Sequence, residues 1–466
     1  IQRSWKGLQA QVPALVNAAM PGIGYLGSDI GGFITEGHSY DNLYLRWVEL
    51  GVFYPMMRTH CDLKSFAEPH LYPNVKDDVR KFINMRYSYL PYTYTLSYFN
   101  SRYGTPLARP ANANDAYKPR LADSKNSYLW GRDIYVAPVM EENAVSRSIS
   151  FPDGVWYDLN NPAKKYEGGR ATSAQSYSAP LNTLPAFARG GSFITRFGQD
   201  AYTNTASIDR SKLRIDYYYP SDDAANLDCW HYEDDHATPD PVAGGKYRLT
   251  HMRAYNILGS PTFSFTREGN GYDGEPASQE IRLTFHGVRN INDIEKMFMV
   301  DQVPAGETDR SVRNAEANGL VDGDSSVIGQ CFTQEQFENA AHNCYYLDTA
   351  NKQLHAKLNV APSKHFELGL QITGIPTGLE SLTGGDIILE YADGMISYSL
   401  DGSYTGAGID IYNLAGIHVA HIGSLAADGM MHQTPLSIPA GTYIATLTAS
   451  TPDAVKVSKK AKFLAR

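Results

Sequence analysis

The chain has 466 residues, of which 42% are hydrophobic and 20% are charged, as is usual for a globular protein. Its net charge of −9 and its lack of a basic stripe argue against nucleic-acid binding. No apolar run reaches the roughly 18 residues of a transmembrane helix, and the length favours about three domains. Because the sequence starts at Ile1 without a signal peptide, we expect a processed or partial chain.

The first 105 residues show apolar patterns of helix and strand in alternation. The patterns predict helices over residues 1–17, 40–50 and 77–103, the last broken or kinked near Pro91, and strands over residues 23–27 and 52–57. Asp29 follows the first strand, while Arg58 and His60 follow the second. In a parallel α/β barrel the carboxyl ends of strands share one rim, so we expect these side chains to lie close together.

Two strands are far fewer than a barrel needs. A closed (β/α)8 barrel has eight strands, and a two-stranded remnant would leave its edges open. We therefore predict that residues 1–105 are the carboxyl-terminal part of a catalytic barrel. The remaining strands are expected from residues that precede Ile1, in the same gene product or in another chain.

The residues after 105 predict β-structure in three blocks. Short strand-like runs with turn signals over residues 106–198 are typical of an antiparallel sandwich, and a second β-rich segment covers residues 199–374. Residues 375–466 form a further Ig-like β-domain. The predicted fold class is thus α/β plus all-β, with the last part of a TIM barrel followed by β-sandwich domains. The acidic run Glu233-Asp234-Asp235-His236 lacks the ligand spacing of a calcium loop and is interpreted as a solvated hairpin.

The four cysteines do not define a metal site. Cys61, Cys229, Cys331 and Cys344 form no CxxC pair, and no Cys/His spacing fits zinc. Cys331 and Cys344 could be a disulfide or two free thiols, and the sequence leaves both open. We expect no metal and no organic cofactor.

Six short pieces in order carry a resemblance to a known family. They are DIGGF from Asp29, RW from Arg46, FYPMMRTH from Phe53, EPH from Glu68, RY from Arg86 and LPY from Leu90. Together they resemble the second half of the barrel of glycoside hydrolase family 31, the α-glucosidase and α-xylosidase family. The resemblance runs from residue 1 to about Gly198, and YEDDH resembles a more usual YEDDG of the family's distal β-domain.

The last block resembles a different kind of domain. The pieces Ile411-Tyr412-Asn413-Leu414, Gly416, Gly441-Thr442-Tyr443 and Lys462-Phe463 are similar to the sorting domain of type IX secretion in Bacteroidetes. That resemblance implies a protein that is secreted or held at the cell surface, with the periplasm as the other location. A plain Ig-like module is the alternative.

The family resemblance implies hydrolysis of terminal α-linked sugars with retention, by double displacement between two aspartates. Nothing in this chain matches the nucleophile motif, and the family's register places the acid/base aspartate immediately before Ile1. We therefore assign no catalytic residue, and we expect this chain alone to be inactive. The expected partners are an oligosaccharide or glycoside substrate and the missing amino-terminal half of the barrel.

The same resemblance implies four substrate-binding residues. Asp29 should accept hydrogen bonds from hydroxyls of the sugar in subsite −1, and His60 should donate one. Phe33 should form an apolar wall, and Arg58 should hold the charge of nearby carboxylates. Arg46 and Trp47 are interpreted as helix packing, and Glu68 as a solvated loop residue.

Alternatives to α-glucosidase activity also follow from the sequence. One is a non-catalytic fragment that binds carbohydrate or serves a structural role. The others are family members that act on α-xylosides or on α-N-acetylgalactosaminides.

Overall fold

The computed structural model describes the chain except for residues 35–39, 64–65, 114–124, 170–172, 222–224, 256–260, 290, 301–324, 342, 373–387, 393, 401, 403, 414–417, 429, 440, 451–455 and 466. Contacts divide the chain into two compact units, Ile1–Ile375 and Pro376–Arg466.

The first unit starts with helices around two parallel strands. The helices are α1 (Trp5–Gln9), α2 (Gln11–Ala19), α3 (Asp41–Val52), α4 (Lys76–Ser88) and α5 (Leu90–Tyr103), and the strands are β1 (Gly27–Ile30) and β2 (Met56–Thr59). The two strands pair in parallel, with Gly27 opposite Met56 and Asp29 opposite Arg58. This strand–helix–strand arrangement is one unit of a TIM barrel.

Both predicted strands begin later than the sequence suggests. The apolar residues 23–26 precede β1, and Val52 is still helical, because α3 extends to it. Val52, Phe53 and Tyr54 are fully buried in the apolar core. They are apolar because they pack in that core, and not because they belong to a strand. As a result Asp29 lies within β1 and Arg58 within β2, one residue before each strand ends.

The predicted helix over residues 1–17 is two helices. The Ser4 hydroxyl accepts a hydrogen bond from the Gly7 N–H at 3.1 Å and caps α1. Pro13 lies in the first turn of α2, where its missing N–H breaks no helical hydrogen bond. The predicted break in the long aromatic helix is confirmed, since α4 ends at Ser88 and Pro91 lies at the start of α5.

Antiparallel β-structure follows the barrel segment. Its strands are β3 (Ala108–Pro110), β4 (Tyr128–Trp130), β5 (Ile134–Val136), β6 (Ser146–Ile149), β7 (Gly154–Asp158), β8 (Lys165–Gly168), β9 (Gln175–Ser178) and β10 (Ala186–Arg189). Six of them form one sheet in the order β3-β4-β5-β10-β7-β8, and β6 pairs with β9. One apolar core joins this sheet to the barrel helices. It includes Leu8 of α1, Trp47 of α3 and Ala188 of β10.

The rest of the first unit is a sandwich of two six-stranded sheets. Its elements are β11 (Phe193–Phe197), β12 (Lys212–Tyr218), β13 (Cys229–Glu233), β14 (Arg248–Tyr255), β15 (Thr262–Glu268), β16 (Gln279–His286), β17 (Ile294–Val300), β18 (Ser325–Val327), β19 (Gly329–Cys331), α6 (Gln334–Asn339), β20 (Cys344–Asp348), β21 (Gln353–Val360) and β22 (Phe366–Ile372). One sheet has the order β11-β12-β16-β21-β20-β19, and the other β13-β14-β15-β22-β17-β18.

Alternating side chains explain the sandwich. In β16 the buried Ile281, Leu283 and Phe285 alternate with more exposed residues, so that one face enters the core between the sheets. The sequence placed a domain boundary at residue 198, whereas β11 precedes that residue and pairs with β12. The fold of the first unit is therefore part of a TIM barrel followed by β-sandwich structure.

The second unit is all-β. Its strands are β23 (Ile388–Ala392), β24 (Met395–Ser399), β25 (Thr405–Asn413), β26 (His418–Ile422), β27 (Met431–Pro435), β28 (Gly441–Ser450) and β29 (Lys456–Ala465). They form two sheets, β23-β24-β27 and β26-β25-β28-β29, with one apolar core. Among the residues that the structure describes, no helix is both long and apolar enough to cross a membrane.

Candidate functional site

Strands β1 and β2 bring two of the predicted site residues into contact. Asp29 and Arg58 are direct partners in the parallel register, and Arg58 Nη2 lies 2.8 Å from Asp29 Oδ1. The Asp29 side chain is 19% exposed and that of Arg58 is 50% exposed, so the pair is open to solvent on one side. Such a pair presents both a hydrogen-bond acceptor and a donor to a polar ligand.

The opposite face of β1 is fixed by helix packing. The buried Ser28 hydroxyl donates to Gln11 Oε1 at 2.9 Å and accepts from Trp47 Nε1 at 2.6 Å. Because side chains alternate along a strand, these bonds hold Ser28 towards the helices and leave Asp29 on the other face.

A double-glycine turn follows Asp29. The Gly32 N–H donates to the Asp29 carbonyl at 2.8 Å, and Gly31 and Gly32 have φ of 89° and 83°. A Cβ on Gly32 would lie 2.5 Å from the Arg3 Cα, and one on Gly31 would lie 2.9 Å from the Tyr44 ring. Only glycine fits both positions, and the turn directs Phe33 back across the strand ends.

Phe33 and His60 form a second contact at the same end of the strands. Their ring centroids are 5.2 Å apart with a tilt of 42°. Phe33 is half-buried and His60 is exposed, and the Phe33 carbonyl accepts a hydrogen bond from the Asp62 N–H at 2.9 Å. The structure therefore places all four predicted binding residues in the last residues of β1 and β2 or just after them.

The first three residues of the chain lie beside this group. The Ile1 carbonyl accepts hydrogen bonds from the Phe33 and Ile34 N–H groups, each at 3.0 Å, and the Arg3 N–H donates to the Ile34 carbonyl at 2.8 Å. Gln2 and Ile34 form an isolated parallel bridge. The backbone at Ile1 is thus adjacent to Phe33.

Arg3 is a residue that sequence reasoning missed. Its Nε donates to the Gly31 carbonyl and its Nη2 to the Phe66 carbonyl, each at 2.5 Å. Arg3 thus connects the glycine turn to the loop at Phe66, which lies 63 residues from Arg3 in sequence. No local pattern could identify this role, because both acceptors are backbone carbonyls.

The predicted helix packing of Arg46 and Trp47 is confirmed. Both are buried in α3, and Arg46 lies 2.9 Å from the equally buried Glu49. The guanidinium also donates to the carbonyls of Ala144, Ala179 and Thr183 at 2.7–3.2 Å, which connects the barrel segment to the following β-structure. Glu68 is exposed in its loop, as predicted.

The prediction of a solvated hairpin for the acidic run is wrong for its first two residues. Glu233 and Asp234 are buried, and Asp234 accepts hydrogen bonds from the Tyr94 and Tyr232 hydroxyls at 2.7 and 2.9 Å. Burial by itself raises the pKa of Glu233, but His231, Arg267 and Arg210 outweigh it and lower the pKa to about 2. Asp234 therefore connects α5 to the end of β13 from a buried position.

The two candidate disulfide partners lie on neighbouring strands. Cys331 ends β19 and Cys344 begins β20, which pair in parallel, and both are free cysteines in the structure. Burial, together with the nearby Cys331, raises the pKa of the Cys344 thiol to about 11.

Two segments of the chain match models of one protein family. Residues 1–96 match the glycosyl hydrolases family 31 TIM-barrel domain, and residues 104–194 match the glycosyl hydrolase family 31 C-terminal domain. Both segments are thus similar to domains of glycoside hydrolase family 31.

Named relatives agree with the domain matches. The chain is 28% identical over 298 residues to a lysosomal alpha-glucosidase of Rattus norvegicus, covering 60% of this chain and 30% of the relative. It is 29% identical over 216 residues to an alpha-xylosidase of Saccharolobus solfataricus, covering 45% of this chain and 29% of the relative. The matches therefore span less than a third of the length of these relatives.

A solved structure shares the fold of this chain. A family 31 dextranase of Flavobacterium johnsoniae, complexed with glucose, superposes with a TM-score of 0.65 at 22% identity. The match covers 79% of this chain and 42% of the dextranase.

Proposed function

We propose that this chain supplies the carboxyl-terminal part of a retaining α-glycosidase that acts on terminal α-linked glucose. The observation that carries the proposal is the ion pair between Asp29 and Arg58 at the carboxyl ends of two parallel strands, in a segment that matches the family 31 barrel domain. Strand carboxyl ends are where TIM-barrel enzymes place their active sites.

Each of the four residues has a role that its chemistry suits. Asp29 accepts hydrogen bonds from hydroxyls of the sugar, since a carboxylate makes strong charge-assisted bonds. His60 donates to a hydroxyl, and Phe33 forms an apolar wall against the sugar ring. Arg58 holds the charge of Asp29, from which it lies 2.8 Å away.

Hydrolysis with retention needs two carboxyl groups about 5 Å apart, one as nucleophile and one as acid/base. Asp29 is the only carboxylate of the four, so these residues bind sugar and the reacting pair comes from outside the chain. The position of Ile1 supports this, because a residue joined to its amino group would lie next to Phe33. The acid/base aspartate is proposed for that place.

Activity of a longer protein that includes the upstream barrel strands tests the proposal. Asp29→Asn should lower kcat/KM on nitrophenyl α-glucoside about 10- to 150-fold, since a hydrogen bond to a charged group contributes about 1.5–3 kcal/mol. The matched control is Asp77→Asn, which removes an 84% exposed carboxylate and should leave kcat/KM unchanged.

Two results would reject the proposal. One is an unchanged kcat/KM in Asp29→Asn, and the other is a first-formed sugar of inverted anomeric configuration by proton NMR. Oligosaccharide binding without hydrolysis of any nitrophenyl α-glycoside would favour the non-catalytic alternative. Faster cleavage of α-xyloside or of α-N-acetylgalactosaminide would reassign the substrate.

We also propose that residues 375–466 are an Ig-like sorting domain and that the protein is exported to the cell surface or beyond. Support comes from two small sheets that share one core in this unit and from the short pieces around Ile411 and Tyr443. Leu414 and Gly416 lie outside the described residues. Deletion of residues 376–466 should retain the protein inside cells of the source organism, and normal export of the truncated protein would contradict the assignment.

A further inference from the structure

Two histidines and one aspartate meet on the surface of the second unit. Asp410 lies in β25, while His418 and His421 lie in the neighbouring antiparallel strand β26. Asp410 is the direct partner of His421, and Tyr412 is the partner of His418. This cluster belongs to none of the family 31 segments, which end at residue 194.

A β-bulge is what brings both histidines to one face. Residues three apart in a regular strand point to opposite faces of a sheet. Here the register shifts between Ile411 and Tyr412, so that Val419 is an extra residue on β26. The extra residue changes the alternation, and His418 joins His421 on the face of Asp410.

The three side chains converge on one point. His421 Nδ1 lies 2.7 Å and His418 Nε2 lies 3.0 Å from the same atom, Asp410 Oδ1. The three atoms are all within 4.8 Å of one another. Side-chain exposures of 30% for Asp410, 49% for His418 and 53% for His421 leave the point open to solvent.

From this geometry we propose that Asp410, His418 and His421 form a binding site for a divalent transition-metal ion of the zinc type. Two imidazole nitrogens and one carboxylate oxygen are a zinc ligand set. Ligand atoms on a tetrahedron with bonds of about 2.0–2.1 Å stand about 3.3 Å apart, so small side-chain shifts would admit the ion. Calcium and magnesium fit poorly, because they require about six or more oxygen ligands.

Three protein ligands leave the fourth position of the ion to water. The ion would also replace two hydrogen bonds between β25 and β26 with metal bonds, and so would join the two strands more firmly. Binding to the folded state alone raises thermal stability with ion concentration. Sequence spacing alone does not reveal this site, because the β-bulge that assembles it depends on strand pairing. The inference is independent of the proposed glycosidase activity.

The competing explanation is that the histidines only hydrogen-bond to Asp410. His421→Asn and His418→Gln distinguish metal binding from simple hydrogen bonding. The new amide nitrogens can donate hydrogen bonds in place of Nδ1 and Nε2, but they are poor transition-metal ligands. The matched control is His432→Gln. His432 Nε2 lies 2.8 Å from Asp428 Oδ1 in the same unit, and this pair belongs to no three-residue cluster among the described residues.

The experiment is a titration of Zn²⁺ alone into the full chain, purified without a histidine tag and stripped of metal, by isothermal calorimetry. We expect one site, and a Zn²⁺-dependent rise in Tm. Loss of a group that only orients a metal ligand weakens metal affinity about 10- to 100-fold. His421→Asn and His418→Gln each remove a ligand itself, so each should weaken Zn²⁺ affinity at least as much. His432→Gln should bind like the parent chain, and Mg²⁺ should not bind.

An equal Zn²⁺ affinity in the parent chain and in both ligand variants would overturn the assignment. So would a loss of affinity in His432→Gln of the same size. Circular dichroism of each variant in the absence of Zn²⁺ shows that it is folded, as expected for substitutions of half-exposed side chains that keep a hydrogen-bond donor.

Discussion

Asp216 is the residue whose substitution tests the packing of the distal sandwich most sharply. It lies in β12 with 3% exposure, and its two oxygens are taken by partners from both neighbouring strands. Arg196 Nε of β11 lies 2.6 Å from Oδ2, and His286 Nε2 of β16 lies 2.9 Å from Oδ1. Burial opposes ionisation, but Arg196 and His286 outweigh it and hold the pKa of the Asp216 carboxyl well below its usual value.

Asp216→Asn keeps the size of the side chain and removes its charge. Removing one partner of a buried ion pair costs about 3–5 kcal/mol, because the other charge is left without compensation. The Arg196 side chain is 26% exposed and so keeps some contact with water. We therefore expect a loss near the lower end of that range, about 3 kcal/mol.

The matched control is Asp77→Asn in α4. Asp77 also pairs with an arginine, Arg80, at 2.6 Å, but the two side chains are 84% and 61% exposed. Exposed pairs contribute about 0–1 kcal/mol. The same chemical change should therefore give a small effect at Asp77 and a large one at Asp216.

The assay is hydrogen exchange of amides in β12 and β16, read by mass spectrometry. A chain of several domains does not unfold in one transition, and exchange reports the local free energy of opening. Because the folded pKa of Asp216 is depressed, its stabilisation is present above the unfolded value of about 3.9 and is lost as pH falls below it. The difference between the parent chain and Asp216→Asn should therefore shrink at low pH. A difference below about 1 kcal/mol at pH 7, or equal effects in the two variants, would refute the reasoning.

Three further changes test other parts of the molecule. Gly32→Ala should lower the local free energy of opening of the turn by about 1–3 kcal/mol in amide exchange, because φ is 83° and the Arg3 Cα is 2.5 Å from the new Cβ. The control is Gly22→Ala, which has φ of 104° but nothing within 4 Å of its Cβ. Lys357→Met should speed amide exchange in α6. The buried Lys357 ammonium donates to three carbonyls at the carboxyl end of this helix, at 2.7–3.0 Å. Glu233→Gln should flatten the acid denaturation curve between about pH 4.3 and pH 2, since the depressed carboxyl pKa of about 2 makes its stabilisation fade as pH falls through that range.

Each of these expectations has a contrary outcome. Equal changes in local exchange for Gly22→Ala and Gly32→Ala would mean that the close approach to Arg3 is relieved at no cost. Unchanged exchange in α6 would mean that its terminal carbonyls do not depend on Lys357. A parent-like acid curve for Glu233→Gln would mean that the carboxylate contributes no pH-dependent stability.

The parts of the site that depend on neighbouring residues in sequence could be predicted. Polar residues directly after apolar runs indicated that Asp29 and Arg58 lie near strand ends, and the parallel pairing of β1 with β2 places them side by side. The strand bounds could not be predicted as well. Val52 and Phe53 look like strand residues, yet they are apolar because the core surrounds them.

Interactions between residues far apart in the chain could not be predicted from the sequence. Asp234 was interpreted as solvated because acidic runs usually are, but Tyr94, 140 residues away, donates to it. The Arg3 guanidinium donates to two backbone carbonyls, and any residue type can supply a carbonyl. The clustering of His418 with His421 depends on a bulge, which the spacing of the two histidines alone does not reveal.

The core that the barrel helices share with the first β-sheet bears on how this protein can be divided. The change of sequence texture near residue 105 looks like a joint between modules, but Trp130 and Tyr128 of the sheet lie in the same apolar core as Trp47 of α3. Arg46 adds hydrogen bonds across the same join. Separating the two segments would therefore expose apolar core on each. After a proteolytic nick near residue 105, the two pieces should stay associated through that core. Domain exchange between relatives should move the two segments together, as one cooperative folding unit.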